Sequence, residues 1–126
     1  MHSLLRLTIT ALPLLLGCAA ARAEIVAIAW TSGGTFQHTM SIAPSKFAEV
    51  CGALVPGQAI RWHFKADKPL DFNVHYHVGK DVVYPVRKDG ASVLDGTLAV
   101  SRREEYCWMW TNPGAAAARV DLTMSR

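Results

Sequence analysis

Past residue 23 this chain has no long apolar run, no Cys-x-x-Cys spacing, no glycine-rich phosphate loop and no Gly-x-Ser-x-Gly elbow. Each absence removes a class of protein. A transmembrane helix needs about 20 apolar residues in a row. A cysteine-based zinc cluster needs paired ligands at close spacing. Nucleotide binding and α/β-hydrolase chemistry need the missing glycine loop or nucleophile elbow. The carboxylates that sit close together, Asp67 with Asp71 and Glu104 with Glu105, have spacings that any solvated turn shows. Catalysis by paired carboxylates also requires a cleft that the sequence does not reveal. The chain therefore reads as a binding protein and not an enzyme. Charge is scarce as well, at 18% of residues.

What is present begins with the N-terminus. His2 and Arg6 are weakly basic, Leu7 to Gly17 is mostly apolar, and Ala21-Arg22-Ala23 is a small-x-small site before Glu24. That order is the pattern of a cleaved secretory signal, residues 1–23. Leu15-Leu16-Gly17-Cys18 also resembles a lipoprotein cleavage box, which would instead leave a lipid anchor on Cys18. The expectation is a periplasmic or secreted protein, or the same domain held on a membrane through Cys18. Arg6 and Arg22 leave with the signal, taking 13 basic residues down to 11 against 10 acidic ones. A net charge of about +1 gives no reason to expect nucleic acid as a partner.

Cleavage after Ala23 also leaves only Cys51 and Cys107. Two cysteines in an exported chain usually pair. Their bond would close a loop of 56 residues, worth about 4 kcal/mol in the chain-entropy model. For so small a core that is a large contribution.

Residues 24–126 alternate apolar and polar over short segments split by turn signals, as in all-β proteins. The expected strands are Glu24 to Thr31, Phe36 to Ile42, Gln58 to Ala66, Leu70 to Val78, Val82 to Arg87, Ser92 to Val100, Glu105 to Thr111 and Ala117 to Met124. Lys46 to Leu54 is read as a strand or a short helical segment. Asp67-Lys68-Pro69, Gly79-Lys80-Asp81 and Lys88-Asp89-Gly90 read as turns, and Pro85 implies an edge or a bulge. Eight or nine such strands predict one domain, an antiparallel β-sandwich of jelly-roll type with one inter-strand disulfide.

Two segments carry candidate chemistry. In Asn73-Val74-His75-Tyr76-His77 the two histidines share one face of a strand, about 7 Å apart along the backbone. With His63, and with His38 and Met40 from another strand, they are candidate ligands for a metal ion. Imidazole with thioether would suit copper, and imidazole with a carboxylate would suit zinc. The plainer alternative is a set of solvated or hydrogen-bonded strand histidines. A blue-copper site is excluded, because no histidine follows Cys107. In Tyr106-Cys107-Trp108-Met109-Trp110 the two tryptophans face away from Cys107 and Met109. If the disulfide points inward, Met109 is core and Trp108 and Trp110 form an outer binding face for a protein or ligand, with Asn73 as a further contact. If a neighbouring element covers them, they are core.

Phe64 to Val86 and Tyr106 to Asn112 resemble the GOLD (Golgi dynamics) β-sandwich domain, over about residues 36 to 124. Cys51, the Val78-to-Tyr84 turn and the aromatic-Cys-aromatic segment ending at Asn112 fill that domain's motif positions. The resemblance implies a sandwich with Cys51 bonded to Cys107. It does not carry over the cargo-receptor role, since the sequence has no stalk, membrane helix or cytosolic tail of that kind.

Overall fold

The computed structural model describes residues 23–126, so the secretory signal, its lipoprotein alternative and Cys18 lie outside the described residues. The described chain is all β. Its strands are β1 (Glu24–Ala27), β2 (Thr35–Ile42), β3 (Phe47–Leu54), β4 (Ala59–Val78), β5 (Asp81–Ala99), β6 (Glu104–Thr111) and β7 (Ala118–Ser125). The segment left undecided between strand and helix is the strand β3.

Two of the expected turns are not turns. Asp67-Lys68-Pro69 lies inside the 20-residue β4, and Lys88-Asp89-Gly90 lies inside the 19-residue β5. The pair forms one long hairpin around Gly79 and Lys80, with Val78 opposite Asp81. Gly79 takes a φ of 60°, which favours glycine in so short a connection. Polar residues and a proline at 67–69 bend the ribbon without reversing it. The ladder shifts register between Lys65 and Leu70 and again between Leu70 and Phe72, which is how a bulged sheet turns a corner. The merged pairs explain why there are seven strands and not eight or nine.

Strand β5 borders β4 from end to end, so β6 and β7 share the opposite edge of β4. Asp71 to His75 pair with β6, and Arg61 to Ala66 pair with β7. Beyond β6 lies β3, and beyond β7 lies β2. The array is thus one sheet folded across its middle into two stacked halves. Strand β1 extends the first half by pairing with β3 in parallel, a departure from the all-antiparallel expectation.

The crease is tied by polar groups that the bend would otherwise orphan. The Ser45 N–H donates to Asn112 O, and the Asn112 N–H to Lys46 O, each at 2.9 Å. The side-chain amide of Asn112 donates to Ile42 O at 2.9 Å and Ala116 O at 2.8 Å, while its oxygen accepts from Gly114 N. Carboxylates serve the other strands: Asp67 accepts from Arg119 N, and Asp71 from Gly90 N.

Folding the sheet closes its even-numbered face on itself. From Phe36 to Met124 nearly every core residue has an even number, the period-2 signature of strands. Trp62, Phe64, Phe72 and Trp110 meet across the two halves at ring separations of 4.9 to 5.5 Å. Burying each ring contributes about 2–3 kcal/mol. Gly96 is where β5 makes room for them: a Cβ there would lie 2.5 Å from the Trp62 indole.

Candidate functional site

The same folding decides where each candidate residue points. Odd-numbered side chains of the two halves face opposite outer surfaces, because the even-numbered ones meet inside. His63 and His75 both lie on odd positions of β4, one in each half, so they stand on opposite sides of the molecule. His63 flanks a shallow groove of about 290 Å³ with Gln37, Arg61 and Thr123. His38 is taken by Glu24, its Nε2 lying 2.9 Å from the carboxylate. Met40 is core, 3% exposed. The five-residue metal set is therefore not assembled. Only His75 and His77 come together, with ring centroids 5.3 Å apart.

The tryptophan face is corrected too. Trp108 and Trp110 are wholly buried, and Met109 lies on the outer side with the disulfide. The premise that failed was an inward disulfide. Cys51 and Cys107 face each other across β3 and β6, Cα to Cα 4.1 Å, on the surface opposite the core. They staple two strands of one sheet, and the neighbouring even positions carry the indoles inward. The pairing itself is as expected.

The outer face of β3, β6, β4 and β5 is consequently where chemistry-bearing residues gather. One ladder row runs Cys51, Cys107, His75, and the next runs Glu49, Met109, Asn73, Arg87. His75 is 5% exposed although it points away from the core. Its Nδ1 donates to Asn73 Oδ1 at 2.8 Å, which turns Nε2 toward Glu49, 3.6 Å from Oε1. Burial lowers the pKa of His75 below 6.5; the Glu49 carboxylate works against that shift, and His77 adds to it. The imidazole is thus held neutral near pH 7. Tyr84 of β5 leans on His75 at 5.9 Å, and the Arg87 guanidinium lies 4.9 Å from the centre of the Tyr84 ring. Asp71, Asn73, Tyr84, Arg87, Asp89 and Met109 line a groove of about 320 Å³ here.

Beside this groove the hairpin exposes three successive large residues, Val82 and Val83 at 38% and Tyr84 at 44%. Strand alternation puts Val82 and Tyr84 on the face of His77 and His75 and turns Val83 to the other face, so the apolar patch beside the groove is Val82 with Tyr84. The sequence reading passed over Glu49, Tyr84 and Arg87. Glu49 was findable from its odd-numbered register with Cys51. Tyr84 was not, because the bulge between Val74 and Tyr76 resets which way β5 side chains point.

The fold defines a disulfide-stapled, near-closed β-sandwich, and solved structures share it. No family model and no curated protein matches the chain, so the GOLD resemblance rests on its motifs. PliG from Aeromonas hydrophila, a periplasmic lysozyme inhibitor of g-type lysozyme, is similar over 82% of this chain and 96% of its own, with 16% identity and a TM-score of 0.61. PliG from Salmonella Typhimurium is similar over 82% and 98%, at 12% identity and a TM-score of 0.55. The Yersinia pseudotuberculosis-derived mitogen is similar over 74% and 86%, at 12% identity and a TM-score of 0.57. At these identities the likeness establishes the fold.

Proposed function

We propose that this chain is an exported, non-enzymatic protein-binding module that blocks a lysozyme-type glycosidase in the periplasm. The observation that carries the reading is the match to PliG inhibitors of g-type lysozyme across four-fifths of this chain and nearly all of theirs. The contact surface we assign is the end of the β4–β5 hairpin. Val82 and Tyr84 supply exposed apolar area on one face, Arg87 stacks on Tyr84, and Lys80 stands at the exposed tip beside Asp81. Glycosidases of this kind work with paired carboxylates in a cleft, a target that the Arg87 guanidinium and the Tyr84 ring together complement. The tip grows out of a sheet that the disulfide and the folded core hold firm, so little ordering cost is added on binding. The surface proposed here centres on Tyr84 and Arg87, since Trp108 and Trp110 are buried.

Titrating the purified protein into a g-type lysozyme assay, with a c-type enzyme in parallel, tests the reading. The expected result is saturable inhibition of the g-type enzyme, weakened about tenfold or more by Tyr84→Ala or Arg87→Ala. No inhibition and no complex at micromolar concentrations would discard the function. Inhibition untouched by either substitution would move the surface elsewhere.

A further inference from the structure

We propose that Cys51, Cys107, His75 and Glu49 form a divalent-metal site that opening of the disulfide brings into existence. Three observations support it. The donor atoms of Glu49, Cys51 and Cys107 all lie within 4.8 Å of one another. His75 stands outside that trio, but it is the ladder partner of Cys107 and its Nε2 is 3.6 Å from Glu49 Oε1, so it is the fourth donor nearest to hand. Ligand atoms around a tetrahedral zinc ion, at about 2.0–2.3 Å from the metal, stand roughly 3.3–3.8 Å apart, so the His75–Glu49 separation already fits. The four residues come from β3, β6 and β4, three adjacent strands whose ladders fix their spacing. Two thiolates, an imidazole and a carboxylate are a zinc-type donor set.

The position of the disulfide makes the gating feasible. Cys51 and Cys107 lie on the outer side of the sheet, away from Val50 and Trp108 in the core. Both cysteines are buried, 8% and 7% exposed, so thiol exchange requires side chains on this outer face to move aside while the even-numbered core stays closed. The reductant is a dithiol. Its first thiolate attacks one sulfur, the Cys51–Cys107 bond breaks, and a mixed disulfide forms. Its second thiolate displaces the bound cysteine, leaving two cysteine thiols and an oxidised, cyclised reductant, a two-electron transfer. The metal ion then displaces both thiol protons to solvent. The Nδ1 contact to Asn73 Oδ1 at 2.8 Å orients the His75 ring so that Nε2 faces Glu49 and the strand of Cys51, where it can enter as a ligand. The staple is exchanged for a metal cross-link between the same two strands, extended to β4.

Cobalt(II) added to the protein after phosphine reduction, without oxygen, reports the site directly. The reduced protein is expected to take up one equivalent, showing a near-ultraviolet thiolate-to-cobalt band that zinc abolishes, while the oxidised protein shows none. His75→Ala and Glu49→Ala should each weaken uptake about tenfold or more, and His77→Ala should leave it unchanged. A reduced protein that keeps its strand circular dichroism but gives no thiolate band overturns the proposal. So does a band indifferent to both substitutions. If reduction unfolds the chain, one equivalent of zinc should restore the strand signal, and failure to do so is equally decisive. The lysozyme assay uses the oxidised protein, so the two readings fail separately.

Discussion

His75 shows how much a single residue's surroundings can alter its chemistry. On a strand with no neighbours it would be a solvated histidine. Here Asn73, His77, Tyr84 and Cys107 crowd it on the outer face, with Glu49 alongside. Its pKa is lowered by that burial. The folded state therefore binds the His75 proton less readily than the unfolded state. This stabilisation is complete above the unfolded value near 6.5 and is lost as pH falls through the lowered folded value. The oxidised protein should unfold at lower denaturant between about pH 7.5 and about pH 5, and His75→Gln should flatten that part of the profile. Paired denaturation curves at the two pH values check it, and an unchanged slope in the variant would remove His75 as the cause.

At the scale of elements the informative feature is the long β4–β5 hairpin and its crease. Gly96→Ala puts a methyl against the Trp62 ring, with a Cβ only 2.5 Å from it. The indole cannot retreat from Phe64 and Phe72 without loss, so thermal melting should show about 1–3 kcal/mol of destabilisation. Asn112→Ala strips the crease of three hydrogen bonds made by one fully buried side chain. It leaves two carbonyls and an amide N–H without that partner, and should cost about 2–4 kcal/mol in chemical denaturation. A loss below about 0.5 kcal/mol would mean that water replaces the amide. The alternation of β2, β4, β6 and β7 was legible from the sequence because a half-buried strand must repeat every second residue. The crease was not legible. Asp67-Lys68-Pro69 has turn chemistry whether the chain reverses or merely bends, and only the pairing of β7 before it and β6 after it distinguishes the two.

For the whole molecule, the disulfide clamps β3 to β6 within one half, while β2, β7 and the first part of β4 are held by ladder and core alone. Cys51→Ser with Cys107→Ser should therefore lower stability by up to about 4 kcal/mol without changing the fold. Its melting temperature should drop while its far-ultraviolet spectrum persists at low temperature. Loss of all ordered structure in the cold would show that the aromatic core cannot sustain the sandwich alone.

The sequence by itself determined the strand content, the two faces of each strand and the partnership of Cys51 with Cys107. These follow from local alternation and from there being two cysteines among residues 24–126. Only the tertiary structure decided which face is inside. Trp108 and Cys107 must point apart in any strand, but which becomes core depends on where the second half of the sheet lands. Folding the sheet over its even-numbered face buried Trp108 and Trp110, sent His63 and His75 to opposite surfaces, and gathered Glu49, Cys51, Cys107 and His75 on one. Parity is a property of neighbouring residues, whereas the side that meets a partner is a property of contacts far apart in the chain.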